Sequence, residues 1–177
     1  MRRKPAESLR PAALLALGLS TALACAGAVA RTSDRNQPLD VEATSTDCTV
    51  AGDGPCSFTG NVHLTQGTLL VQAAKAVVHR SNGDIRRVIL TGAPAQMSQE
   101  LDDGSTVTGR ASNVDYDMST DTVVFTGNAV IDQRGGGNIT AGRISYNMKS
   151  GQVQGSGGEG PGRVHVKFPP KTQQGTR

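Results

Sequence analysis

The sequence predicts an all-β chain: a curved antiparallel sheet, a sandwich-like or jelly-roll body, built from stacked repeats with no significant helix after an N-terminal leader. Three observations predict it. The first is a repeat. Phe58-Thr59-Gly60-Asn61 returns as Phe125-Thr126-Gly127-Asn128, with Leu90-Thr91-Gly92 as a fainter copy between them, at spacings of 32 and 35 residues. Val71-Gln72-Ala73, Val107-Thr108-Gly109 and Ile139-Thr140-Ala141 keep the same pace, each reading branched apolar, polar, small. A unit of this size cannot bury its apolar face alone, so the units must stack, and a stack has two ends.

The second observation is the period inside each unit. Phe58, Gly60, Val62 and Leu64 alternate with Thr59, Asn61, His63 and Thr65, which marks a strand with one buried face. Leu69, Val71 and Ala73 continue the pattern after a Gln66-Gly67 turn. Val107, Val114, Tyr116, Val123 and Phe125 read likewise in the second unit, and Ile131, Ile139, Ile144 and Tyr146 in the third. The third observation is punctuation. Turn formers cluster at Ser81-Asn82-Gly83-Asp84, Asp102-Asp103-Gly104, Ser119-Thr120-Asp121, Gly135-Gly136-Gly137-Asn138 and Lys149-Ser150-Gly151. The glycine of each Thr-Gly pair sits inside a strand pattern, as at a bulge or bend. The small residues Ala73, Gly109 and Ala141 predict a second set of bends. Periodicity alone leaves the interior open to two readings, a filled core or a groove.

The chain starts with Arg2, Arg3, Lys4 and Arg10, followed by an apolar run from Ala12 to Ala24 and the small-x-small site Ala28-Val29-Ala30. This pattern predicts a secretory signal peptide over residues 1–30, cleaved near Ala30. A lipoprotein through Cys25 and an uncleaved anchor are the weaker alternatives. Residues 1–30 hold four of the 18 basic and one of the 15 acidic residues, which leaves the rest formally neutral and removes the case for nucleic acid. The remainder suits one domain over 31–168. The tail, 169–177, starts with Pro169-Pro170 and reads as disordered.

Cys48 and Cys56 flank a run of turn formers centred on Gly52, so a hairpin there places them opposite each other. In an exported chain a cross-strand disulfide is expected, with two reduced cysteines as the alternative. No further thiol or nearby histidine completes a metal site. His63, His79 and His165 are scattered, and no nucleophile-elbow, zincin or phosphate-loop pattern occurs. Asp115 and Asp117 alternate around Tyr116 and so read as surface charge. The expectation is a protein that is not an enzyme and takes no cofactor. Aromatic residues make up 3% of the chain and tryptophan is absent, which argues against sugar or nucleobase platforms. An open interior with these aliphatic walls would suit a hydrocarbon chain.

Gln37-Pro38-Leu39-Asp40-Val41-Glu42, the run Phe58 to Val62 with Thr65-Gln66-Gly67, and the later Gly109-Arg110-Ala111-Ser112, Tyr116 and Phe125 to Ala129 resemble the OstA-like family of periplasmic lipopolysaccharide-transport proteins. Ile139, Ile144-Ser145-Tyr146 and Gly162-Arg163-Val164 extend the resemblance over most of residues 37–166. It implies a β-jelly roll in the periplasm whose groove carries lipid A acyl chains. It also implies an LptC-like inner-membrane partner and an LptD-like outer-membrane partner. Unpaired strand edges at the two ends of the stack lead separately to an expectation of head-to-tail self-association. Leu39 and Val41 would face the groove near the N-terminal edge. With strand parity, the expected groove is Leu39, Val41, Phe58, Val62, Leu64, Leu69, Val71, Val114, Tyr116, Phe125, Ile139 and Ile144. Thr59, His63, Asp115 and Lys149 are expected to face water. The cysteine pair departs from the general pattern of the family. The rival reading is an exported β-repeat scaffold without lipid.

Overall fold

Each repeat folds as a hairpin of two long strands. In a computed structural model describing residues 32–49, 51–158 and 162–170, these are β3 (Cys56–Gln66) with β4 (Leu69–Ser81), β5 (Asp84–Glu100) with β6 (Thr106–Asp117), and β7 (Thr122–Gln133) with β8 (Gly137–Asn147). The leader and residues 171–177 lie outside the described residues. Two short strands flank the hairpins on each side: β1 (Asp40–Glu42) and β2 (Ser45–Cys48) both pair with β3, while β9 (Val153–Ser156) and β10 (His165–Lys167) both pair with β8. Every pairing is antiparallel and all ten strands belong to one sheet. The long strands follow one another in chain order, so each edge of the sheet is a strand broken in two. One 3₁₀ turn, Thr32–Asn36, precedes β1.

The sheet bends at a row of register shifts that crosses every long strand. They fall between Thr59 and Val62, Gln72 and Lys75, Thr91 and Ala95, Arg110 and Asn113, and Thr126 and Ala129. On β3 and β7 the extra residues are the repeated Gly-Asn pair. Gly60 and Gly127 both take φ +82°, and Asn61 and Asn128 take +45° and +50°. This left-handed region is open to glycine and tolerated by asparagine, which is why Thr-Gly-Asn recurs where the chain must turn a corner.

Period two does not run through the corner on every strand. On β3 and β7 the inward face is kept, Phe58 to Val62 and Phe125 to Ala129. On the even strands it steps by three, from Ala73 to Ala76, Ala111 to Val114 and Ala141 to Ile144. The bends expected at Ala73 and Ala141 lie close to these steps. The one expected at Gly109 does not: Gly109 pairs regularly with Met97 and Ile131. A Cβ there would lie 2.6 Å from the ring of Phe125, so this glycine makes room for an aromatic side chain.

Folding at the corner brings the two halves of the sheet face to face. Their inward side chains form one apolar cluster, with Phe125, Ile144, Val62, Val114 and Val123 its largest fully buried members. Among the described residues no strand pair bridges the two halves; they meet through side chains.

Candidate functional site

The interior is open at both ends of the roll and packed between them. At the N-terminal end, Leu39 and Val41 face Cys56, Phe58, Val78 and Ile85 across a cavity of about 290 Å³, with Arg80 among its walls. Behind it a narrow gap of about 30 Å³ runs between Leu64, Leu69 and Val71 on one side and Val88, Leu90 and Tyr116 on the other. At the C-terminal end a cavity of about 330 Å³ is lined by Val107, Ile131 and Ile139, by Tyr146 and Val153, and by Val166 and Phe168 of the last edge. Burial raises the Tyr146 phenol above its ordinary pKa. A larger cleft of about 790 Å³ lies outside, at the corners, with Arg110, Ser112, Asn128 and Thr140 in its polar lining.

Of the twelve residues expected to line a groove, the structure brings eight to these openings. Leu39, Val41 and Phe58 stand at the N-terminal end, Leu64, Leu69, Val71 and Tyr116 at the gap, and Ile139 at the C-terminal end. The other four, Val62, Val114, Phe125 and Ile144, line no opening. They are the packed middle, each at most 2% exposed. Of the residues expected to face water, Thr59 and Lys149 are exposed and His63 is half-buried. Asp115 lies on the outer face, where the Arg87 guanidinium grips both its carboxylate oxygens and rises above its ordinary pKa as a result.

The N-terminal opening is shaped by polar clamps. Cys48 and Cys56 sit opposite each other, joined by a disulfide, with Cα atoms 4.1 Å apart. The Arg80 guanidinium donates from Nη2 to the carbonyls of Thr49 and Gly54, at 2.6 and 3.1 Å, and so holds the loop between the cysteines. At the tip of that loop, Asp53 accepts from the Gly83 amide at 3.2 Å. The backbone amides of Asn82 and Gly83 hold its carboxyl below the usual carboxylate range.

Sequence reasoning missed two of these features. Asp34 of the 3₁₀ turn is buried among the turns of the first two hairpins. It accepts from Thr68 Oγ1 at 2.5 Å and from Gln99 Nε2 at 3.3 Å, while Gln66 Nε2 donates to the Gln37 carbonyl at 3.1 Å. This latch ties the segment before β1 to the sheet. No local pattern announces it, because its partners lie up to 65 residues away. Arg80 was findable: it extends the inward series Ala76, Val78 by one step of two.

Residues 40–152 match the family described as LptA/(LptD N-terminal domain) LPS transport protein. The lipopolysaccharide export system protein LptA of Escherichia coli K12 is 35% identical over 161 residues, covering 90% of this chain and 86% of that protein. LptA of Haemophilus influenzae is 32% identical over 156 residues, covering 86% and 89%. In fold, the crystal structure of LptH, the LptA-homologous periplasmic component of the Pseudomonas aeruginosa lipopolysaccharide transport device, superposes with a TM-score of 0.70. That match covers 78% of this chain and 99% of that one, at 23% identity. The chain therefore belongs to the LptA/LptD N-terminal domain family of lipopolysaccharide transport proteins.

Proposed function

We propose that this protein carries lipopolysaccharide through the periplasm, with lipid A acyl chains in the apolar interior and the saccharide outside. One observation supports this most: an apolar cluster runs through the interior, and the interior opens at both ends of the roll. The relatives' names supply the cargo. Exposing a twelve-carbon chain to water costs roughly 9 kcal/mol, from 0.8 kcal/mol per CH₂, so several chains cannot cross an aqueous space unaided. The closed middle must part for a chain to pass. Only side-chain packing joins the two halves there, which makes parting less costly than breaking a strand ladder.

On this reading the roll bridges an LptC-like inner-membrane partner and an LptD-like outer-membrane partner. Unpaired edges accept a neighbour's strand. The first edge is acidic, with Asp40, Glu42 and Asp47 exposed, and the last is basic, with Arg163, His165 and Lys167 exposed. Unlike charges favour head-to-tail pairing of copies, or of partners with the same fold, and such pairing extends rather than closes. The packed middle favours a second reading, a scaffold without lipid. Photo-reactive residues placed at Leu39, Val41, Tyr116 and Ile139 in intact cells separate the two. Lipopolysaccharide adducts should form there and not at Thr59 or Lys149. Adducts at neither set would establish the scaffold; equal adducts at both would reject the interior as the route.

A further inference from the structure

Arg80 is a charged side chain on the inward face of the sheet. It follows Ala76 and Val78 at period two, and a register shift at His79 and Arg80 seats it opposite Ile85. It lines the N-terminal opening among Leu39, Val41, Phe58 and Ile85; among the described residues no carboxylate lines that cavity, and Asp53, whose carboxyl feels the guanidinium, sits outside it at the loop tip. A guanidinium carries five N–H donors. Nη2 is engaged by the carbonyls of Thr49 and Gly54. Nε is buried and meets no acceptor. A charged donor buried without a partner is unfavourable, and the acceptor that best suits a guanidinium is an oxyanion. The two carbonyl bonds also fix the group, so an incoming anion meets a donor already in place.

Resting on the cargo reading above, the geometry points to Arg80 as a headgroup-reading residue. The N-terminal opening takes an amphiphile whose alkyl chain lies between Leu39 and Val41 on one side and Phe58 and Ile85 on the other. A phosphate or carboxylate oxygen at its head accepts from the Arg80 guanidinium where it borders the cavity. The opening thereby selects acidic amphiphiles over neutral ones of equal chain length.

Dodecyl phosphate and dodecyl maltoside, both below micelle-forming concentration, are titrated into the purified protein by displacement of a fluorescent apolar probe. The unmodified protein should bind the phosphate roughly tenfold more tightly, the scale of a charge-assisted bond to a buried donor. Arg80→Gln should bring the two to parity, by a loss of affinity for the phosphate. Arg80→Lys, which keeps the charge without the fork, should retain part of the preference. Asp53→Asn frees the loop tip but leaves Arg80 intact, so it should retain all of it. Should Arg80→Gln fail to fold, the unmodified protein and Arg80→Lys carry the test. Equal affinity in the unmodified protein, the result expected if the Thr49 and Gly54 carbonyls already satisfy the guanidinium, overturns the inference and leaves the cargo reading standing. So does a preference that survives Arg80→Gln, or one lost with Asp53→Asn. Binding of neither amphiphile overturns the cargo reading itself.

Discussion

The two ends of the roll are built differently. The N-terminal opening is framed by a disulfide, an arginine on two carbonyls and a carboxylate on backbone amides. The C-terminal opening is framed by β10, three residues long and exposed throughout, with Val166 and Phe168 standing in solvent. Directional bonds hold one shape; a short exposed edge accepts several. The first end is therefore a fixed socket and the second an adaptable plug, with the packed middle as the structural anchor of both.

The largest effect should come from setting the middle against the plug. Phe125 is 1% exposed and Phe168 is 81% exposed. Phe125→Ala should destabilise by about 3–5 kcal/mol, read from the urea midpoint. Phe168→Ala should move that midpoint by less than about 0.5 kcal/mol yet weaken self-association measured by light scattering. Equal losses of stability would erase the contrast. Next comes the socket. Cys48→Ser with Cys56→Ser closes no covalent loop, so about 2–3 kcal/mol should be lost while the protein stays folded. Amide exchange should rise around β2 and stay unchanged around β10; a uniform rise would show that the ends are not independent.

Asp34→Ala leaves the buried Gln99 amide without its acceptor, for a loss of about 1–2 kcal/mol, confined by hydrogen exchange to the segment before β1 and the first two hairpin turns. The smallest effect is one of pH. The Asp53 carboxyl is held below 3.8 in the folded protein, so its contribution is complete above that value and disappears as pH falls through the lowered one. The Gly83 amide should stay protected at pH 5 and lose protection only as pH falls through the lowered value. Loss of protection already at pH 5 would show that the carboxylate does not hold the loop tip.

How far the sequence reaches is plain at the corners. Thr-Gly-Asn at 59–61 and 126–128 announces the bends because left-handed backbone restricts residue choice, and restriction leaves a signature. The hairpin turns are legible for the same reason. On β4 and β6 a single ordinary residue, Ala74 or Ser112, turns the corner and the inward face steps by three, which leaves no special residue behind; on β8 the corner residue is Gly142, where a Cβ would meet the Gly157 carbonyl. Parity read through Ala73 or Ala111 therefore inverts unnoticed. Whether an inward residue borders an opening or a packed middle is a matter of facing halves, and strand patterns carry no information about that. Val62 and Leu64 share one pattern, yet only Leu64 reaches the gap. Asp34 was illegible because its partners are tertiary.

The order of the long strands in space is their order along the chain. Each new hairpin needs only the one before it, and no late strand must return to an early one to complete the sheet. Loop closure between distant segments, the slow step for many β proteins, is thus largely avoided, and the roll can grow residue by residue as a polypeptide is threaded out of a membrane pore. The same rule makes length a free parameter. Inserting one more copy of the β5–β6 hairpin should add a section of interior without altering either end, so the span of a carrier could evolve by duplication while its two contact surfaces stay the same.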